Sequence, residues 1–220
     1  MGLINRGKFL MERRFSKGYF QTKKMNEKNK FHHGDLKNEI IKQGLKIIYD
    51  KGFQSVELKD ISKACHVSTP SIYRHFDGKS DLMDKLLIEV SHIFYNFLKK
   101  ECHHSYEDAE EDLINMGVRF LQFSQDYPHY FEFLFYSKFE RHVQLGTDIQ
   151  IDYNDENNSF NLFKEVVIHY FNNNGIKQDH NRHIVNLWSY ISGLSIIAGS
   201  IDSENKNIIC LLYTSPSPRD

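Results

Sequence analysis

Residues 67–82, VSTPSIYRHFDGKSDL, concentrate side chains that can bind a polar surface. Thr69, Ser71 and Arg74 lie within six positions of one another. Hydroxyl groups form hydrogen bonds to base edges in the major groove of DNA, and a guanidinium group pairs with guanine. This composition therefore predicts recognition by hydrogen bonds and charge rather than bond-making chemistry.

The same residues predict a short helix with a narrow buried face. Ser68 is a good N-cap, and Val67 and Ile72 occupy the two positions of a hydrophobic staple. Ile72 and Phe76, four residues apart, share the inner face. The remaining side chains then point outward, and the tip of such a helix is slim enough for a major groove about 12 Å wide.

Helical periodicity continues on both sides of this segment. A first helix is predicted from an N-cap at Asp35 to Gly52, which favours a left-handed cap. A short second helix covers residues 58–65, the residues HVS turn the chain, and a fourth helix begins with Ser80 as N-cap and runs to Lys100. A tight turn between two short helices resembles the helix-turn-helix arrangement.

The rest of the sequence also predicts helices. Further helices are predicted around residues 113–123, from Pro128 onward in PHYFEFLFY, around 160–172 and around 180–199, with a polar connection over 137–158. No alternating runs of Val, Ile and Thr indicate strands. We therefore expect an all-α fold of about eight helices.

The charges are distributed unequally along the chain. There are 28 Lys and Arg residues against 29 Asp and Glu, yet residues 1–80 carry a net charge of +9 and residues 81–220 a net charge of −10. A basic N-terminal part favours contact with a polyanion. Three cysteines without CxxC spacing indicate neither a disulfide framework nor a zinc site, and no apolar run approaches a membrane span. These features predict a cytoplasmic protein with no membrane partner.

Residues 31–82 resemble the DNA-binding domain of the tetracycline-repressor (TetR) family without a gap. The resemblance rests on the joint spacing of FHHGDL, of DIS with VS six residues after Ile61, of SIYRHF, and of Lys79 followed by an acidic residue and Leu82. It implies that the helix tip and Arg74 read bases, with Lys59 as a further candidate, and that the flanking residues contact phosphates. The expected base-reading residues are Thr69, Pro70, Ser71 and Arg74, and the expected phosphate contacts are Tyr73, His75 and Lys79. The full expected DNA-binding set is Lys59, Ser68, Thr69, Pro70, Ser71, Tyr73, Arg74, His75 and Lys79.

Two positions depart from the family pattern. Glu57 stands where the family has Ser or Thr capping the second helix; its carboxylate still favours the helix dipole, with some loss of cap geometry. His66 stands where the family has a turn glycine, and His tolerates a positive φ better than most residues. We expect neither change to touch the DNA-binding face.

Two later segments resemble the C-terminal domain of this family that is named for a Trp-His-Gly motif. They are VRFLQFSQDYPHYFEFLFY and LWSYISGLSIIAG, the latter with Trp188 and Gly193 in place and Ser192 at the histidine position. The resemblance implies a ligand-binding bundle whose last two helices form a homodimer. Most of its aromatic residues should be ordinary core. The residues expected to line a largely apolar effector pocket are Phe97, Phe120, Phe123, Phe131 and Trp188.

The expected organisation has four parts. Residues 1–30 form a basic extension, which is either disordered or upstream of a true start at Met25; the alternative is a basic arm along the phosphate backbone. An N-terminal three-helix helix-turn-helix DNA-binding domain covers residues 31–80, and a helical effector-binding and dimerisation domain covers 81–209. Residues 210–220, CLLYTSPSPRD, can be back-translated into a sequencing-adapter sequence, so we expect that the native gene continued past Ile209.

Together these features predict a sequence-specific DNA-binding transcriptional regulator, a repressor that a small, largely apolar effector releases from a palindromic operator. An enzyme is not expected, because the 12 histidines include no HxxxH or HExxH pair, and the sequence has no glycine-rich phosphate loop or GxSxG elbow. We expect no catalytic residue, cofactor or metal site. The remaining alternative is a helical adaptor that has lost DNA binding.

Overall fold

A computed structural model describes residues 36–100, 109–137, 142–145, 149–152, 158–177 and 180–199. Within these ranges the chain forms eight α-helices, one 3-10 turn and two short strands. The helices are α1 (Leu36–Lys51), α2 (Leu58–Ala64), α3 (Thr69–Ile72), α4 (Lys79–Lys99), α5 (Ala109–Asp126), α6 (Pro128–Tyr136), α7 (Ser159–Asn173) and α8 (His180–Gly199). The 3-10 turn spans Phe53–Ser55, and strands β1 (His142–Leu145) and β2 (Ile149–Asp152) lie between α6 and α7. The all-α class is confirmed.

Some predictions fall outside the described residues. These are the N-cap at Asp35, the basic extension over residues 1–30 and the adapter-like tail over residues 210–220. In the part of the chain that the structure describes, no helix is both long enough and apolar enough to span a membrane.

The hairpin corrects the expectation that residues 137–158 contain no strand. Val143 pairs with Ile151, and Leu145 pairs with Ile149, in an antiparallel ladder. HVQL and IQID do alternate polar and apolar residues, but each run has only four positions, which is the lower limit at which alternation indicates a strand. Pairing between the two runs supplies backbone hydrogen bonds that periodicity within one run does not reveal.

The ends of two helices depend on glycines with positive φ. Gly52 has φ 83°, and its N–H donates to the Ile48 carbonyl at 2.9 Å, as expected for the end of α1. The start of α4 differs from the prediction, because the N-cap is Gly78 with φ 147°, not Ser80. The Leu82 N–H donates to the Gly78 carbonyl at 3.2 Å, which places Ser80 inside the first turn.

The first four helices enclose a compact apolar core. Its fully buried side chains include Ile40 and Ile48 of α1, Ile61 of α2, Ile72 of α3 and Leu82 of α4. Burying one such aliphatic side chain stabilises the folded state by about 1.5–3 kcal/mol. This core holds the turn between α2 and α3 against α1.

Helix α4 crosses α1 closely and continues into the bundle. A Cβ on Gly44 would lie 2.8 Å from both methyl groups of Leu86, so the absence of a side chain at Gly44 permits this approach. Farther along α4, Val90, Phe94 and Leu98 are buried in the bundle. The continuous helix α4 therefore links the N-terminal helices to the bundle.

Helix α6 also contacts the N-terminal helices. The Tyr130 hydroxyl donates to the Leu45 carbonyl at 3.1 Å, and the rings of Phe53 and Phe133 stack with centroids 5.2 Å apart. The predicted domain boundary between residues 80 and 81 lies inside the continuous helix α4. That division remains a prediction.

Candidate nucleic-acid interface

The turn between α2 and α3 is built around a histidine in the left-handed region. His66 has φ 55°, the Val67 N–H donates to the Ser62 carbonyl at 3.0 Å, and the His66 N–H donates to the Lys63 carbonyl at 3.1 Å. These two bonds form a Schellman motif, which usually has glycine at this position. The predicted positive φ at the turn is confirmed, and it sets the angle between the two helices.

Helix α3 is one turn long and is extended by a further turn. The His75 and Phe76 N–H groups both donate to the Ile72 carbonyl, at 2.9 and 3.1 Å. Ile72 and Phe76 are buried and Val67 is half-buried, as the sequence predicts. Ser68 is the N-cap residue, but its side chain makes no capping bond to the backbone; its Oγ lies 3.0 Å from Ser71 Oγ. The capping role predicted for the Ser68 side chain is therefore wrong.

The predicted DNA-binding residues on the outer side of α3 differ in their exposure to solvent. Pro70, Arg74 and Tyr73 are exposed, with 57% of Tyr73 accessible. Thr69, Ser71 and His75 are half-buried. Lys59 is exposed in the first turn of α2. The largest and most polar side chains of the set thus face solvent.

A chain of hydroxyl bonds fixes the Thr69 side chain. Ser62 Oγ donates its proton to the Lys59 carbonyl at 2.9 Å and lies 3.2 Å from Thr69 Oγ1. Because a hydroxyl has one proton, Ser62 can only accept from Thr69 in this arrangement. The Thr69 hydroxyl then has acceptor capacity left for a base, but no proton to donate.

Lys79 forms an ion pair with Glu57 across the start of two helices. Its Nζ donates to Glu57 Oε1 at 3.0 Å, and both side chains are about half exposed, at 44% and 50%. The hydrogen bond and charge of Lys79 lower the pKa of the Glu57 carboxyl. Glu57 precedes α2 as its N-cap residue but makes no side-chain capping bond. Glu57 therefore contacts a residue of the predicted DNA-binding set, contrary to the expectation that the change at this position lies away from that set.

A family model described as bacterial regulatory proteins, tetR family, matches residues 40–86, from the second turn of α1 through the second turn of α4. Residues 40–86 are therefore similar to the DNA-binding domain of the TetR family. The matched region contains the complete turn between α2 and α3 and every residue of the predicted DNA-binding set. The family resemblance predicted for residues 31–82 is confirmed.

Known proteins share part of the sequence or the fold of this chain. The biofilm operon icaADBC HTH-type negative transcriptional regulator IcaR of Staphylococcus epidermidis is 28% identical over 71 residues, which are 32% of this chain and only 38% of that regulator. A protein with unknown function from Rhodococcus sp. RHA1 has the same fold, with a TM-score of 0.66 at 13% identity over 84% of this chain and 94% of that chain. A TetR variant from Acinetobacter baumannii AYE in complex with minocycline has a TM-score of 0.51 at 13% identity, over 84% and 90% of the two chains.

In the helical bundle, the five residues predicted to line an effector pocket lie in two connected groups. Phe120 makes edge-on contacts with Phe131 and Trp188, at centroid distances of 5.7 and 5.4 Å. Phe97 makes an edge-on contact with Phe123 at 5.4 Å. The sequence prediction missed the residue that joins the groups: Phe94 lies 5.4 Å from Phe120 and 4.6 Å from Phe123.

A polar group also adjoins these rings. The Arg119 guanidinium lies 4.0 Å from the centroid of the Phe97 ring, and Arg119 Nε donates to the Phe97 carbonyl at 2.6 Å. The sequence gives no signal for this contact, because the two residues are 22 positions apart on different helices. Arg119 of α5 therefore packs on an aromatic ring of α4 and bonds to a carbonyl in its last turn.

Four exposed apolar residues lie on the outer side of α8, together with exposed polar side chains. Val185, Tyr190, Ile196 and Ile197 are exposed, with more than half of the last three side chains accessible. Gly193 lies on the same side, and a Cβ there would have no atom within 4 Å. We call these five residues the α8 stripe. Exposed apolar side chains that gather on one side of a helix are typical of an interface.

Proposed function

We propose that this protein is a member of the TetR family and a sequence-specific transcriptional regulator that binds a palindromic operator as a homodimer. We propose further that it is a repressor and that a small, largely apolar effector releases it from DNA. The observation that carries the proposal is the outer face of α3: Ile72 and Phe76 anchor the helix, while Arg74 and Tyr73 remain exposed. Polar side chains on a helix anchored by so few apolar residues are suited to binding base edges and phosphates.

A DNA-binding assay tests the central proposal. A gel shift with the promoter region beside the gene should show a complex that depends on a palindrome and weakens as salt rises. The salt dependence follows because each Lys or Arg contact with a phosphate releases condensed counterions. The absence of any shift at low salt would favour the alternative of an adaptor that has lost DNA binding.

Two single substitutions separate the proposed roles within the interface. Arg74→Ala should reduce discrimination at particular operator bases, because a bidentate contact with a base contributes about 1–3 kcal/mol. Lys79→Ala should weaken all sequences alike and flatten the salt dependence. Affinities for an operator and for its single-base variants would measure both effects. A uniform loss in both variants would contradict this division of roles.

The α8 stripe supports the homodimer. Two copies that pack through the stripe would remove its apolar side chains from water, and the missing Cβ at Gly193 would allow the backbones to approach closely. Gly193→Leu should shift the protein towards a monomer in analytical ultracentrifugation. Asn172→Leu, at an exposed position of α7, adds the same side chain elsewhere and should leave the dimer unchanged. A stable Gly193→Leu dimer would place the interface elsewhere.

The aromatic groups around Trp188 support an apolar effector. The TetR variant that shares this fold was solved with minocycline, a small molecule, which agrees with a ligand in the bundle. Effector binding that tilts α4 would change the separation of the two α3 helices, and operator half-sites lie about 34 Å or a multiple apart. Because coupling is reciprocal, DNA should weaken effector binding by the same factor.

Fluorescence provides a direct test of the effector proposal. Trp188 is the only tryptophan of the chain, and its ring lies 5.1–5.4 Å from those of Phe120, Phe160 and Phe163. Titration with apolar aromatic compounds should therefore change the emission of Trp188. A compound that does so should also reduce operator binding. A ligand that releases DNA without any change in Trp188 emission would place the effector site elsewhere.

A further inference from the structure

The ion pair between Lys79 and Glu57 joins two parts of the DNA-binding region that are 22 residues apart. Lys79 begins α4, and Glu57 immediately precedes α2. The 3.0 Å contact places a carboxylate oxygen where a Lys at the interface would otherwise hold a phosphate oxygen. Resting on the proposed function, we infer that Glu57 competes with DNA phosphate for Lys79 and thereby restrains sequence-independent binding to DNA.

The pair is suited to exchange because both partners are about half exposed. Exposed ion pairs contribute little to stability, since water screens them and ordering two long side chains costs entropy. A phosphate offers the same charge and additionally releases a counterion when a Lys neutralises it. Lys79 can therefore leave Glu57 for DNA without disrupting the fold.

Exchange leaves Glu57 with an unfavourable environment. Once Lys79 turns to a phosphate, the Glu57 carboxylate lies beside that phosphate with like charge. Lys59, whose positive charge also acts on Glu57, stands on α2 but is itself a candidate DNA contact. The carboxylate then takes up a solvent cation, which offsets part of the counterion release from DNA. Binding to any sequence is weakened by a similar factor, so sequences that lack the base contacts of α3 fall to a low affinity.

Glu57→Gln tests the inference, because it removes the charge and keeps the shape. Its affinity for the operator and for a scrambled duplex of equal length should rise by a similar factor, about two- to fivefold at low salt. The slope of log affinity against log salt should become steeper by up to about 0.9. Glu165→Gln, at an exposed position of α7, makes the same change of net charge away from this pair and should have a smaller effect on both quantities.

A double-substitution cycle shows whether the effect passes through Lys79. Lys79→Ala should reduce affinity more in the Glu57→Gln background than in the wild-type protein, where Glu57 already engages Lys79. Equal losses in the two backgrounds, or an unchanged affinity and salt slope in Glu57→Gln, would overturn the inference while leaving DNA binding intact. Failure of all variants and of the wild type to bind DNA would overturn the proposed function and this inference with it. Thermal unfolding should be nearly unchanged in Glu57→Gln, since Glu57 makes no side-chain capping bond.

Discussion

Replacing His66 by glycine should stabilise the protein. His66 has φ 55° at the end of α2, where the Val67 N–H donates to the Ser62 carbonyl. A residue with a side chain in the left-handed region destabilises the folded state by about 1–2 kcal/mol, and glycine removes this strain. Because glycine has more conformational freedom in the unfolded chain, about 0.5–1 kcal/mol of that gain is lost. The expected net gain in unfolding free energy is about 0.5–1 kcal/mol. For a chain of 220 residues, this corresponds to a rise in Tm of about 1–4 °C.

The end of α7 provides a matched control. Gly175 has φ 66°, and the Ile176 N–H donates to the Phe171 carbonyl at 2.9 Å, as Val67 does to Ser62. A Cβ at Gly175 would meet no atom within 4 Å, so Gly175→Ala introduces backbone strain without a clash. It should lower the unfolding free energy by about 0.5–1 kcal/mol.

Urea unfolding followed by circular dichroism measures both variants. The midpoints should move in opposite directions, while the m-values stay constant because the area exposed on unfolding does not change. A midpoint for His66→Gly at or below that of the wild type, together with a lowered midpoint for Gly175→Ala, would refute the reasoning. It would mean that the exposed His66 side chain stabilises the turn by more than its backbone conformation costs.

Further predictions concern α6 and the hydroxyl chain beside α3. Tyr130→Phe should lower the unfolding free energy at neutral pH by about 1 kcal/mol, because the hydrogen bond to the Leu45 carbonyl is lost. Burial raises the pKa of Tyr130 to about 12, whereas an unfolded Tyr titrates near 10, so the wild type should lose stability as pH rises through this window and Tyr130→Phe should lose less. Ser62→Ala should free the Thr69 hydroxyl proton, which in the wild type is donated to Ser62. Thr69 could then donate to a base as well as accept from one, so the variant should bind operators with either type of group at a base pair where the wild type prefers an amino group. An unchanged preference would show that Thr69 does not read that base pair.

Much of the DNA-binding region could be predicted from the sequence because its features are local. The staple of Val67 and Ile72 and the positive φ of His66 depend on residues within two helical turns. Hydrophobic spacing also identifies the buried faces of α1 and α4, since side chains three and four apart share a side of a helix. Local rules were insufficient at Ser68 and Ser80, where a neighbouring hydroxyl or glycine determined how the helix begins.

Contacts between distant residues could be found only in the tertiary structure. The pairs Glu57–Lys79 and Ser62–Thr69 arise because the turn at His66 and the start of α4 bring separate helices together. The position of Phe94 between the two aromatic groups also depends on the packing of separate helices. The two four-residue strands are recognisable only because they pair with each other.

The sequence by itself therefore determined the resemblance to the TetR family, most of the helices and which residues of α3 lie outward. The tertiary structure decided which residues of the predicted DNA-binding set already have partners: Thr69 is held by Ser62 and Lys79 by Glu57, while Arg74 stays exposed. The physical reason is that periodicity assigns a side chain to one side of its helix, whereas its hydrogen bonds and charge partners depend on which other helix packs there.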